Sequence, residues 1–121
     1  MTDFDDIAHR YIDLWNETDP VARRRKVAAL WTPEGTYTDP LADVTGHDAI
    51  DGFVAAAQQQ LEGFEFRLLG GVDAHHGQAR FRWEAGPVGA DAPVVGFDVV
   101  VADADGRLER VHGFLDAAPT A

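Results

Sequence analysis

The sequence predicts an α+β fold, on three observations. Apolar residues recur at helical spacing up to about residue 61. From about residue 64 the period shifts towards two. Helices therefore come first and strands after, without the alternation of an α/β chain. No internal repeat, low-complexity stretch or linker divides the 121 residues, so residues 1–121 read as one domain.

The first helix covers about residues 3–17, with Phe4, Ile7, Ala8, Tyr11, Ile12, Leu14 and Trp15 as its apolar stripe and Thr2 or Asp3 as its cap. Asp19-Pro20 reads as an N-cap followed by proline at the first helical position. It opens a second helix over about 20–31, carrying Val21, Val27, Ala28, Leu30 and Trp31. Pro33 and Gly35 stop that helix, and a short strand over 36–39 follows. The stretch "ADVTGHDAI" reads as a loop running into a third helix over about 47–61, with Ile50, Phe53, Val54, Ala57 and Leu61 on one face. Four strands follow at about 64–73, 78–85, 94–102 and 107–115. The segments "DAHHGQ" and "DADG" are hairpin turns, and "GPVGADAP" is a longer loop between the middle two strands. These four strands form an antiparallel meander, and the three helices cover one of its faces.

Charge narrows the function. Twenty-one acidic against ten basic residues give a net charge of −11, which repels phosphate backbones and anionic membranes alike. No cysteine is present, so there is no disulfide and no thiolate chemistry, and a reducing compartment is compatible. The start, "MTDFDDIAHR", is acidic and lacks the apolar run of a signal peptide. No stretch reaches the roughly 18 apolar residues of a membrane span. A cytoplasmic domain that engages neither nucleic acid nor membrane is expected.

The run "VVGFDVVVA", 94–102, is apolar except for glycine and Asp98. A strand apolar at nearly every position is expected to be covered on both faces. A carboxylate there loses hydration, and burial disfavours its charged form. Asp98 is therefore either half of a buried ion pair, with Arg80, Arg82 or Arg110 as partner, or a neutral acid able to donate a hydrogen bond. Strand parity bears on the choice. An even "DADG" loop puts Asp98 on one face with Glu109, Val111, Gly113 and Leu115, and puts Arg110 and His112 on the other with Phe97, Val99 and Val101. Gly113 then leaves space beside Asp98. An odd loop reverses this. Tyr11 lies on the buried stripe of the first helix, where taken alone it reads as a core tyrosine with its hydroxyl near the edge. In "TYTDP", Asp39 closes a strand before Pro40, so it is either a turn residue or an acid at the mouth of a pocket. Tyr37 projects from the same face as Asp39.

Taken together, "RYIDLWNETD", "GTYTDPLADVTGHDAIDGF" and "GFDVVVADADGRLERVHGFLD" resemble ketosteroid isomerase and the wider SnoaL-like group of the nuclear transport factor 2 superfamily. The resemblance covers nearly the whole chain. It implies a cone-shaped, curved antiparallel sheet wrapped against three N-terminal helices and enclosing an apolar pocket. It also implies roles: Asp39 as the base that removes a proton next to a carbonyl, and Tyr11 and protonated Asp98 as donors to the enolate oxygen. Trp15, Tyr37, Phe53, Trp83, Val100 and Gly113 are expected along the pocket wall. A hydrophobic small-molecule ligand is implied, and no metal or organic cofactor is required. An apolar outer face carrying Phe97, Val99, Val101, Leu108 and Phe114, with Arg110 and His112 among them, suggests a homodimer through the sheet.

Two other readings stay open. An epoxide-hydrolase-type enzyme would need Asp98, Arg82 and Glu84 to converge on one water. A non-catalytic binding or dimerisation module would use the cavity without chemistry. Of the remaining features, His75 and His76 suit an exposed turn better than a metal site, and His112 suits a packing role. The run Arg23–Lys26 suits a solvated helix surface with one stem along the core.

Overall fold

The computed structural model describes residues 2–118. Three helices, α1 (Phe4–Asn16), α2 (Pro20–Leu30) and α3 (His47–Gln60), pack on one six-stranded sheet. The strands are β1 (Trp31–Asp39), β2 (Ala42–Thr45), β3 (Phe64–His75), β4 (Gln78–Pro87), β5 (Val94–Ala102) and β6 (Leu108–Ala117). None of the described helices is long and apolar enough to cross a membrane.

Local chemistry sets the helix ends. Asp3 caps α1 by accepting from the Asp6 N–H at 3.1 Å, and Asp19 caps α2 by accepting from the Ala22 N–H at 2.9 Å. Pro20 follows as the first helical residue. Gly46 precedes α3 at a φ of 90°, a conformation that glycine alone adopts freely. The stripe Phe4, Ile7, Ala8, Tyr11, Ile12, Leu14 and Trp15 is buried as its spacing requires.

The sheet order is β2-β1-β6-β5-β4-β3, so its two edges do not meet. The β3–β6 meander is antiparallel as expected. The sheet as a whole is mixed, because β1 runs parallel to β6. It is also longer than the sequence indicated. The second helix stops at Leu30, and β1 starts at once with Trp31. Pro33 is tolerated because the β1–β6 register breaks between Trp31 and Thr36, leaving no ladder bond for it to lose. Gly35 sits in the same break, where a Cβ would lie 2.6 Å from the Trp31 ring. The strand β2 falls within the stretch read as loop. It pairs Asp39 with Ala42 around the two-residue turn Pro40-Leu41.

Strand β5 pairs Asp98 with Gly113, Val99 with His112 and Val101 with Arg110. This is the even register, which turns Arg110 away from Asp98. One correction follows from a bulge. Glu109 is the extra residue between the Val101–Arg110 and Ala102–Leu108 pairs. Beyond it, Leu108 points inward and is fully buried, whereas Glu109 is exposed. Leu108 therefore belongs to the core, not to the outer face. A second correction concerns β5. Its inner residues Val94, Gly96, Asp98 and Val100 are buried, but Phe97, Val99 and Val101 are only half-buried, so one face alone is covered in the single chain.

Polar contacts fix the helices over the inner face. Asn16 both accepts from the Phe66 N–H at 2.7 Å and donates to the Phe66 carbonyl at 2.9 Å, tying α1 to β3. Gln58 donates to the carbonyls of Trp15 and Glu17 at the C-terminal end of α1. Arg23 is buried and pairs with buried Asp51 at 2.8 Å, joining α2 to α3. The arginine run is thus a solvated surface at Arg24 and Arg25 but an ion pair at Arg23.

Candidate functional site

Helices and sheet enclose a cavity of about 290 Å³ whose lining is apolar except for Tyr11, Tyr37, Asp39, Gln60, Asp98 and the two indoles. Leu41, 78% exposed, and Leu115 line it where it meets solvent. Of the residues the sequence pointed to, Tyr11, Asp39, Asp98, Trp15, Tyr37, Phe53 and Trp83 all border this one space. Val100 does not; it is fully buried in the core. Gly113 adds no side chain to the wall but lies against both acids.

Asp98 is 2% exposed, and no arginine reaches it. The Tyr11 hydroxyl donates to its Oδ2 at 2.6 Å, and the Trp83 indole N–H donates to its Oδ1 at 3.0 Å. Position explains both contacts. Tyr11 is clamped by Trp15, Trp31 and Phe81, with ring centroids 5.5–6.2 Å away. Trp83 pairs across strands with Gly96, and its indole lies where a Cβ on Gly96 would come within 2.1 Å of the ring. Only glycine admits that ring there, and the ring delivers its N–H two residues along to Asp98. Burial pushes the Asp98 carboxyl up to about 6, the Tyr11 and Trp83 hydrogen bonds oppose that rise, and the charge of Asp39 adds to it. Burial also holds the Tyr11 hydroxyl well above its ordinary range, helped by the neighbouring Asp98 charge.

Asp39 plays both parts that the sequence left open. Its Oδ1 accepts from the backbone N–H groups of Leu41 and Ala42 at 2.7 and 2.8 Å, forming the turn between β1 and β2. Its Oδ2 accepts from the Tyr37 hydroxyl at 2.7 Å, and the residue lines the cavity. Tyr37 is itself raised far above its ordinary pKa, chiefly by burial.

Gly113 brings the two acids close. A Cβ built on it would lie 3.2 Å from Asp39 Cβ, 3.2 Å from Asp98 Oδ1 and 3.4 Å from the Tyr37 hydroxyl. The two equal distances together cap the gap between Asp39 Cβ and Asp98 Oδ1 at 6.4 Å. The arrangement is a half-buried carboxylate served by three donors, close to a nearly buried carboxyl of raised pKa, among aromatic side chains.

The other sequence candidates lie elsewhere. Arg82 is exposed, with its guanidinium 3.6 Å from Asp116, and Glu84 pairs with Arg67 at 3.1 Å, so neither lines the cavity. The set an epoxide hydrolase would need is not assembled. His75 ends β3 and His76 lies in the exposed β3–β4 turn, at a φ of 55°. Among the described residues no three His, Asp or Glu side chains gather as a metal site. Sequence reasoning missed Trp83 as a partner of Asp98. The available signal was Gly96 within an apolar strand, since a glycine there often marks close approach by another group.

The chain matches the SnoaL-like domain family over residues 8–111. Among solved structures it is similar to "a putative isomerase of the SnoaL-like family" from Agrobacterium tumefaciens str. C58. The identity is 37%, with 93% of this chain and 96% of that one covered, at a TM-score of 0.88. It shares its fold with a "putative polyketide cyclase" from Sinorhizobium meliloti (21% identity, 89% and 93% covered, TM-score 0.71). It also shares it with an "NTF2-like protein of unknown function" from Exiguobacterium sp. 255-15 (23% identity, 91% and 98% covered, TM-score 0.72). Among curated proteins no sequence matches.

Proposed function

Because the chain belongs to the SnoaL-like family, we propose that it is a small-molecule enzyme that moves a proton beside a carbonyl group, using its own side chains. The observation that carries this reading is the Tyr11–Asp98 pair facing Asp39 across Gly113 in an apolar cavity. Asp39 takes the proton from the carbon next to the carbonyl. Negative charge then gathers on the carbonyl oxygen, where Tyr11 and protonated Asp98 donate to it in a medium of low dielectric. At pH 7 the empty site holds Asp98 mostly as a carboxylate, given its pKa of about 6. An apolar ligand replaces water in the cavity beside that carboxyl with a less polar medium and raises its pKa further, so ligand and proton arrive together. Enolate-type isomerisation and the enolisation that precedes an aldol ring closure share this first step, so isomerase and cyclase are both consistent with it.

The proposal includes a cytoplasmic homodimer that pairs through the outer face of the sheet. Phe97 and Phe114 stand there with ring centroids 6.1 Å apart, and Phe114 is 54% exposed.

The test is deuterium exchange from D2O into the acidic carbon of 2-tetralone. Wild type is expected to catalyse it. Asp39→Asn is expected to slow it by about 10²- to 10⁴-fold while binding survives. Unchanged exchange in that variant rejects Asp39 as the base. The rival is a binding module, favoured by the turn bonds that already occupy Oδ1 of Asp39. A bound ketone that never exchanges would select that rival.

A further inference from the structure

We infer that the cavity accepts a neutral carbonyl compound of about two rings, its oxygen seated by the Tyr11 hydroxyl, and rejects carboxylate- or phosphate-bearing ligands. This rests on the cavity being the working site proposed above, and it narrows the substrate of that site.

Size sets the first limit. An apolar cavity of about 150 Å³ holds one benzene, so about 290 Å³ suits roughly twelve non-hydrogen atoms. A four-ring skeleton of about twenty atoms would need about 500 Å³ on the same scale. Its far end would project into water past Leu41 and Leu115.

Charge sets the second limit. Among the described residues no lysine, arginine or histidine lines the cavity, whereas two carboxylates do. A ligand anion would leave water to sit beside like charges, with nothing to offset the loss of hydration.

Hydrogen bonding sets the third. All four carboxylate oxygens already have donors: Tyr11 and Trp83 on Asp98, Tyr37 and two backbone N–H groups on Asp39. Neither carboxylate therefore has an unserved oxygen that calls for a cationic ligand, and the Gln60 amide in the lining is uncharged. The donor left for a ligand oxygen is the Tyr11 hydroxyl, which is released when Asp98 takes up a proton. The Trp15 indole N–H is buried beneath the wall and bears on that hydroxyl, pulling its pKa down against the other influences.

Calorimetric titration of the whole protein with five probes tests this. The expected order puts 2-tetralone about tenfold tighter than the hydrocarbon tetralin, the margin of one hydrogen bond. It puts 2-naphthoate about a hundredfold weaker than the ketone, as Coulomb repulsion at ~6 Å with an effective dielectric of ~20 gives. Progesterone is expected to bind no tighter than 2-tetralone. Tyr11→Phe is expected to erase most of the margin of ketone over hydrocarbon. Naphthoate binding as tightly as the ketone, 2-aminotetralin binding tightest, or Tyr11→Phe weakening ketone and hydrocarbon equally would each overturn the inference. If that variant does not fold, the wild-type ranking decides. Tight ketone binding without deuterium exchange would refute the enzyme reading alone. Exchange together with tight naphthoate binding would refute this inference alone.

Discussion

Replacing Trp83 by phenylalanine removes one hydrogen bond from Asp98 and keeps a ring over Gly96. The consequence can be worked through. In the folded protein Asp98 titrates at about 6, against an ordinary 3.8. Between those values the native state holds a proton that the unfolded chain has released. Stability therefore falls as pH rises from about 4 to about 6.5, by roughly 3 kcal/mol for a rise of about two units. The Trp83 bond at 3.0 Å opposes that rise, because it serves the charged form. A hydrogen bond to a charged group contributes about 1.5–3 kcal/mol, or about one to two pH units. In Trp83→Phe, Asp98 should thus titrate near 7–8. Lost packing lowers stability equally at every pH. The lost bond adds a further deficit of about 1.5–3 kcal/mol that is absent near pH 5 and complete by about pH 9. Urea unfolding of both proteins at a series of pH values measures it. A deficit that does not change with pH, or one that shrinks as pH rises, refutes the account of Asp98.

Other perturbations give equally direct outcomes. Gly113→Ala places a methyl group 3.2 Å from Asp39 and from Asp98. It should lower deuterium exchange at least tenfold while costing only about 1–2 kcal/mol in urea, and unaltered exchange would mean the acids do not share a substrate. Gly96→Ala drives the Trp83 indole from its seat, so it should reproduce the pH-dependent deficit of Trp83→Phe; a flat pH response would refute that geometry. Arg23→Met leaves Asp51 buried with Arg24 only at 3.6 Å. It should cost about 3 kcal/mol by urea denaturation, with Asp51→Leu in the same chain restoring most of it; a loss under about 1 kcal/mol would deny the pair its part in joining α2 to α3. Affinity for 2-tetralone should rise as pH falls through about 6, because a ligand that excludes water favours protonated Asp98. A pH-independent affinity by calorimetry would contradict this.

The fold was legible where periodicity is strong and local. The three helices, their Asp3 and Asp19 caps and the β3–β6 meander follow from side-chain spacing and turn chemistry. What was hidden depends on partners distant in sequence. Nothing local tells "WTPEG" that β6 waits beside it, and its proline argues against a strand. The four residues of β2 are too few to show alternation. The bulge at Glu109, which turns Leu108 into the core, arises from the fit of β6 to both neighbours. In the site, the apolar run around Asp98 marked a desolvated carboxyl, and parity indicated that Arg110 points away. Two things could not be read there. One is that both oxygens of Asp98 are served, which requires Trp83 to lie flat on Gly96. The other is that Asp39 is at once a turn acceptor and a cavity wall, because a carboxylate has two oxygens and sequence does not divide them.

The central claim is that one acid becomes neutral while the other stays charged across a shared dry space. Carbon-13 NMR of the two carboxyl groups, assigned through Asp39→Asn and Asp98→Asn, measures it directly, in the free protein and with 2-tetralone bound at pH 7. The account predicts that Asp98 gains a proton when the ketone binds and that Asp39 does not. Asp98 still ionised in the complex, or the proton found on Asp39, would contradict it.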